Sequence, residues 1–330
     1  MRFELNPRGQ PDAELRRIGE ALIRDAIEQV EDPTVPPDGA VHEARKNMKK
    51  LRGMLRLIRP AAPGLYKAEN RAFRDAAARL AVVRDAKAAL ETFDSVLERA
   101  RADSQSRVDP PASDVTGADA SALLDVVEPM ELASLRKRLL AHRDAMHAPG
   151  GNIQERLDEF RVRMLEALER ISDWRLPKPE DTEHGLPLLA RGLKRTYRRG
   201  RKAMTQAYED DTVEAFHEWR KRAKYLGYHL GLLRPGWPKL LKEQEKAVKA
   251  LQRLLGEDHD LAVLAERLNA LGNPESGSHG DSEAELALRA EMSRQSRLLR
   301  RRARGIGELV FAEQPKAFRQ RVGTYWRHAR

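Results

Sequence analysis

The sequence predicts an all-α protein built from two related helical halves in tandem. Three observations predict it. Ala, Leu, Arg and Glu are abundant and β-branched residues are sparse, which suits helix propensity. Apolar residues recur at 3- and 4-residue spacing, with no convincing period-2 run. A long motif also recurs: VHEARKNMKKLRGMLRLIRP begins at Val41 and FHEWRKRAKYLGYHLGLLRP begins at Phe216.

Helix breakers mark the elements in order. An opening helix ends at Asp32-Pro33 and Pro36-Pro37. The His42 helix ends at Arg59-Pro60, with Pro63-Gly64 before a third helix. An Asp- and Ser-rich loop follows Arg101 and contains Asp109-Pro110-Pro111, and the helical return is interrupted at Pro149-Gly150-Gly151. A Pro-rich stretch over 177–187 is the junction. The second half repeats the plan: an opening helix, the His217 helix to Arg234-Pro235, a third helix, a loop from Gly272-Asn273-Pro274 through Gly280, and a return. The predicted boundaries are 1–178, 179–187 and 188–330. Short links predict antiparallel neighbours within each half.

The repeat aligns without gaps at an offset of 175. It matches His42 with His217, Glu43 with Glu218, Arg45 with Arg220, Lys46 with Lys221 and Lys49 with Lys224. The offset also carries Leu80 onto Leu255 and Asp85 onto Asp260, so the register holds over several helices.

Composition narrows the function. The 330 residues carry a net charge of +10 with a pI near 9.8, which favours an anionic partner: nucleic acid, an acidic membrane surface, polyphosphate or an acidic protein. There is no Cys, which excludes disulfides and thiolate chemistry. The first 29 residues hold no apolar run of signal-peptide type, and no stretch approaches the roughly 20 apolar residues that span a bilayer. The expectation is a cytoplasmic protein.

At about 100° per residue, His42, Arg45, Lys46, Lys49, Arg52 and Arg56 share about a third of one helix's circumference. Ala44, Met48, Leu51, Met54, Leu55 and Ile58 oppose them. In the second half His217, Arg220, Lys221 and Lys224 oppose Trp219, Ala223, Leu226, Leu230 and Leu233. The second opening helix sets Arg191, Lys194, Arg195, Arg198, Arg201 and Lys202 against Leu189, Leu193, Thr196 and Tyr197. Like charges one turn apart destabilise a helix by roughly 0.2–0.5 kcal/mol per pair. Glu43 and Glu218 are expected to point off these stripes, leaving a basic face suited to phosphate oxygens. Arg52 and Arg56 correspond to Gly227 and Gly231, so the same groove is expected to be built from different helices. The glycines allow close approach either of a ligand or of another helix.

The duplicated His-x-x-Arg-x-x-x-Lys, with Leu-x-x-x-Arg84-Asp85 and Leu-Gly-Glu-Asp-His259-Asp260 one helix further on, resembles the CHAD family, the conserved-histidine α-helical domain. The resemblance covers essentially the whole chain. It implies two four-helix bundles with pseudo-twofold symmetry around a basic central pore or groove that binds polyphosphate. It implies His42, Arg45, Lys49, His217, Arg220 and Lys224 as pore residues, with Arg191, Lys194, Arg195 and Arg198 fitting by type and placement. Arg84 is answered by His259, a departure between the halves. Some relatives carry a fused triphosphate-tunnel domain; no segment here accommodates one, so its hydrolase activity does not carry over.

Other chemistries fit poorly. His-Glu-x-x at His42 and His217 lacks the second His of the zinc motif, and Lys46 and Lys221 stand there instead. Glu257-Asp258-His259-Asp260 has Val82-Val83-Arg84-Asp85 as its counterpart, so a shared metal site fails, and Asp85 and Asp260 are expected to orient basic side chains. His279 has no evident partner. No cofactor or metal motif and no catalytic constellation emerges, which predicts a non-enzymatic binder of long-chain polyphosphate, associated with polyphosphate granules. RNA or DNA binding is the alternative. Single-strand binders stack bases on aromatic platforms, and aromatics are 5% here, with Tyr228 alone expected near the stripe. Membrane binding would need an exposed apolar helix face, and these faces are required by the bundle.

Overall fold

The computed structural model describes residues 2–80, 85–105, 129–146, 153–177, 186–271 and 282–329. Among the described residues there are eleven α-helices and one 3-10 turn, and no strand. The helices are α1 (Pro11–Glu31), α2 (Pro37–Ile58), α3 (Pro63–Arg79), α4 (Asp85–Gln105), α5 (Pro129–Met146) and α6 (Ile153–Ile171). They continue with α7 (Leu186–Asp210), α8 (Val213–Leu233), α9 (Pro238–Leu271), α10 (Glu283–Val310) and α11 (Pro315–His328), and Arg234–Gly236 forms the 3-10 turn. No helix among the described residues is long and apolar enough to cross a membrane.

Proline is the first residue of α1, α2, α3, α5, α9 and α11. Its ring presets φ, and its missing N–H is one that a first turn leaves unpaired anyway. The link from α7 to α8 is two residues long. Asp211 takes the left-handed conformation at φ 48°, and Thr212 caps α8 by accepting from the Ala215 N–H at 3.3 Å. The breakers at Asp32–Pro36 and Arg59–Ala62 fall between helices as expected. Those at 109–111, 149–151 and 272–280, with most of the junction at 179–187, lie outside the described residues.

The repeat is visible in where helices begin. The starts of α1 and α7 and those of α3 and α9 differ by 175, and those of α2 and α8 by 176. The third helix differs between halves. α3 ends at Arg79 and α4 begins at Asp85, whereas α9 runs unbroken across the equivalent positions to Leu271.

The chain divides into two compact units. Unit one is Met1–Val82, Asn152–Arg253 and Gly305–Arg330; unit two is Val83–Gly151 and Leu254–Arg304. Unit one therefore draws on both sides of the junction at 179–187. Within it α2 packs on α1, α3, α7 and α8, while α6 covers α1 and α3, and α11 covers α7. The apolar faces read from sequence are buried on α2, α7 and α8, with Met48, Leu51, Met54, Leu55, Tyr197 and Trp219 fully enclosed. Each such side chain contributes about 1.5–3 kcal/mol.

Two glycines set the crossings. A Cβ on Gly53 would lie 2.6 Å from the Tyr228 ring, and His229 Nε2 lies 3.0 Å from the Gly53 carbonyl oxygen. The repeat makes Gly53 and Tyr228 equivalent, so α2 and α8 meet at matching positions. A Cβ on Gly192 would collide with the Leu57 carbonyl and fall 2.8 Å from Leu57 Cα, so α7 and α2 touch backbone to backbone. Gly227 and Gly231 serve chain packing. Gly227 faces Gln252, whose Nε2 donates to the Ala223 carbonyl at 3.2 Å, and Gly231 faces Phe3 and Glu245.

Unit two is held partly by buried ions. Arg294 donates to Glu291 at 2.7 Å and to Asp103 at 2.5 Å, and Gln295 donates to Glu291 and to the Val96 carbonyl. Glu291 is fully buried. Asp258 accepts from Ser296 and Arg300, and Arg136 pairs with Asp94.

Candidate functional site

On α2, His42 and Lys46 are exposed, while Arg45, Lys49, Arg52 and Arg56 are half-buried. On α8, Lys221 is exposed and His217, Arg220 and Lys224 are half-buried; on α7, Arg191, Arg198 and Lys202 are exposed and Lys194 and Arg195 half-buried. The division into basic and apolar faces is as read from the sequence. The acids are not. Glu43 accepts from Lys46 at 2.8 Å, and Glu218 takes Lys221 at 2.6 Å together with Arg222. A residue three positions on lies only about 60° around the helix, a gap that long side chains close. The Lys46 bond holds the Glu43 carboxyl below its ordinary range. Burial pushes Glu218 up, but its Lys221 bond and the Arg222 charge bring it below that range too. The His ends of both stripes are thus partly neutralised.

The uncompensated charge collects at the other end of α2. From His42 to Arg59 the helix rises about 25 Å. There Arg56 and Arg59 meet Arg195 and Arg199 of α7 and Arg222 of α8, with Thr196 and Tyr225, around a cleft of about 300 Å³ that is partly open to solvent. Arg56 lies 3.9 Å over the Tyr225 ring, and its Nη1 donates to Asn70 at 3.1 Å and to the Arg52 carbonyl at 2.8 Å. Arg59 lies 4.8 Å over Tyr66. The rings and Asn70 hold these guanidiniums in place, since a cation over an aromatic face is attracted by its quadrupole. Among the described residues Glu218, through Arg222, is the one carboxylate ion-paired to the five. Burial, opposed by Tyr225 and Tyr66 and reinforced by Arg52 and Arg222, lowers the Arg56 pKa. Burial and the charges of Arg222, Arg195 and Arg59 do the same to Arg199, against the pull of Glu218. Both remain cations at neutral pH, in a site that favours an anion.

The cleft has no twin. The 175-residue offset maps Arg56 onto Gly231, Arg222 onto Asn47, Arg195 onto Glu20 and Tyr225 onto Lys50. Arg59 and Arg199 map onto Arg234 and Arg24, which are neutralised where they stand. Arg234 pairs with Glu4 and with Glu245 at 3.4 Å, and Arg24 pairs with Glu20 at 2.8 Å. The extra arginines of α2 and the dense stripe of α7, on opposite halves of the sequence, converge on one site.

The family profile of the CHAD domain matches residues 13–269. The chain belongs to the CHAD family. This CHAD chain is also similar to a solved structure, PptA from Streptomyces chartreusis, with a TM-score of 0.52 and 15% identity over 92% of this chain and 100% of that one. At that identity the likeness is one of fold. No curated protein matches the CHAD chain significantly.

The cleft contains Arg56 and Arg195 from the stripes but also Arg59, Arg199, Arg222 and Tyr225, which the wheels left out. Arg59 sits at the C-cap of α2, just past the helix. Arg199 follows Arg195 by one turn, a spacing that could have drawn it in. The aromatics near the basic groups are Tyr225 and Tyr66; Tyr228 lies instead in the crossing, edge-on to Phe3, and burial raises its pKa. Arg45 donates to the Leu80 carbonyl at 3.2 Å, at the end of α3. Arg84 and His279 lie outside the described residues, as does the side chain of Asp85. Among the described residues no group of three or more His, Asp or Glu is placed to hold a metal ion.

Proposed function

We propose that this CHAD protein binds long-chain inorganic polyphosphate without turning it over, on the basic faces of α2, α7 and α8. The observation that carries the reading is the convergence of five guanidiniums on one cleft against a single carboxylate. Each guanidinium fork fits two phosphate oxygens, and a polymer of phosphates can engage the cleft and a stripe together. In this reading His42, Arg45, Lys46, Lys49 and Arg52 extend the site along α2. Arg191, Lys194, Arg198 and Lys202 extend it along α7, and His217, Arg220, Lys221 and Lys224 along α8. The meeting of α2 and α8 at equivalent residues supports two bundles about a pseudo-twofold axis, with the basic groove beside it. The five arginines of the cleft keep their protons and so serve as phosphate donors and not as bases; this supports holding phosphate rather than cleaving it. RNA and DNA are disfavoured because the Tyr66 and Tyr225 rings are occupied by arginines and offer no stacking platform.

The test is titration with long-chain polyphosphate, RNA and DNA at matched ionic strength. The site variant is Lys49→Glu/Arg195→Glu/Arg198→Glu/Lys224→Glu, and the control is Lys239→Glu/Lys242→Glu/Lys316→Glu/Arg327→Glu, four exposed cations on other helices. The site variant should lose at least about tenfold in polyphosphate affinity and flatten the dependence of log affinity on log salt. The control should do neither. Equal losses in the two, or tighter binding of nucleic acid than of polyphosphate by the wild type, overturn the proposal.

A further inference from the structure

Resting on the polyphosphate reading, we propose that the five-arginine cleft seats the end of the chain, its terminal phosphate group, and so fixes where the bound polymer begins. Three features of the cleft lead there. The first is size. The cleft is small even when the open space at its mouth is counted, about 300 Å³, so it takes a compact group rather than a length of polymer. The second is closure. Gly192 of α7 meets the backbone of Leu57 of α2, and Leu57 adjoins Arg56 while Gly192 lies one turn before Arg195 and Thr196. Where two backbones touch, no chain passes between, so a polymer that reaches the cleft does not continue between α2 and α7.

The third feature is charge. Inner phosphates of a linear chain carry one negative charge each. A terminal phosphate has a second ionisation near pH 6, as in phosphate monoesters, and carries about −1.5 to −2 at pH 7. The densest anion in the polymer is its end. The cleft gathers five guanidiniums, with Arg56 and Arg59 held against Tyr225 and Tyr66 and Arg222 against Glu218. Such pre-set forks lose little freedom on binding. The duplication sharpens the argument. A groove that only tracked the backbone would gain from equal clefts at both related positions. Here the second position carries Gly231, Asn47 and Glu20 in place of Arg56, Arg222 and Arg195. The arginine cluster is thus present at one of the two related positions and not at the other.

The experiment compares ligands with and without free ends on the full chain. The probes are linear tripolyphosphate against cyclic trimetaphosphate, and long-chain polyphosphate with free ends against the same polymer with both ends blocked as phosphoramidates. Blocking changes only the ends of a long chain, so bulk charge is held nearly constant. The variants are Arg199→Gln/Arg222→Gln and, should that pair lose helicity, Arg59→Gln/Arg195→Gln. Wild type should prefer tripolyphosphate to trimetaphosphate by at least about tenfold and bind the free-ended polymer more tightly than the blocked one. Both preferences should collapse in the cleft variants. If wild type binds free-ended and blocked polymers tightly and equally, the end seat is wrong and the polyphosphate reading stands. If a folded cleft variant keeps the preference, the end is held elsewhere and the inference is likewise wrong. If neither polymer binds, the polyphosphate reading falls and takes this inference with it.

Discussion

Acidification should destabilise unit one through His229. This imidazole is wholly buried on α8, with Nε2–H donating to the Gly53 carbonyl at 3.0 Å and Nδ1 without a partner. Burial, opposed by the Gly53 bond and aided by the nearby Arg56 charge, lowers its pKa from 6.5 to about 4. In the unfolded chain it titrates near about 6.5. Between these values the unfolded state takes up a proton that the folded state refuses. The contribution is therefore fully present above about pH 6.5 and is lost as pH falls towards about 4. The gap corresponds to about 3 kcal/mol in full, of which about 2 kcal/mol is gone by pH 5. The assay is urea unfolding followed by tryptophan fluorescence, which reports on unit one because all four tryptophans lie in it. His229→Leu removes the titration and keeps similar volume. Carboxylates titrate alike in both proteins, so the stability difference isolates the imidazole. Between about pH 8 and about pH 5 that difference should move by about 2 kcal/mol against the wild type. A difference constant over this range refutes the buried neutral imidazole.

Two further substitutions test the packing. Gly192→Ala should cost about 1–3 kcal/mol in urea unfolding, because neither backbone at the α2–α7 crossing can yield cheaply, and it should weaken polyphosphate binding by displacing Arg195 and Arg199. Gly305→Ala, with nothing near its added Cβ, is the matched helical control and should stabilise by about 0.5–1 kcal/mol; equal effects of the two would refute the crossing. In unit two, Arg294→Met should cost about 3–5 kcal/mol by leaving Glu291 buried and unpaired, read as faster hydrogen exchange in α4 and α10, and adding Glu291→Leu should restore most of it. A single variant as protected as the double would show that the ion network does not hold the unit.

The all-helical content, the breaks at Asp32–Pro36 and Arg59–Ala62 and the duplication were legible in the sequence because they are local or periodic properties. A helical wheel needs only the turn angle, and it sorted Met48, Leu51, Trp219 and Leu226 from Lys46 and Lys221 correctly. It misjudged Glu43 and Glu218, because a wheel places Cβ directions while the ion pairs are made by the ends of long, flexible side chains. The repeat likewise disclosed that Gly227 and Gly231 replace Arg52 and Arg56, but not that both glycines face other parts of the chain.

The sequence by itself determined the helices, their two-sided character and the positive charge they carry. It could not determine which arginines meet. Arg56 and Arg59, at the end of α2, lie well over a hundred positions from Arg195, Arg199 and Arg222 on α7 and α8, and each wheel describes angles about its own axis alone. Their convergence depends on where the axes cross, and that is decided by a glycine on α7 with no side chain to keep it off the backbone of α2. Close packing turns that one absent Cβ into a fixed crossing point. The crossing point turns separate basic stripes, partly quenched at their His ends, into a single cleft.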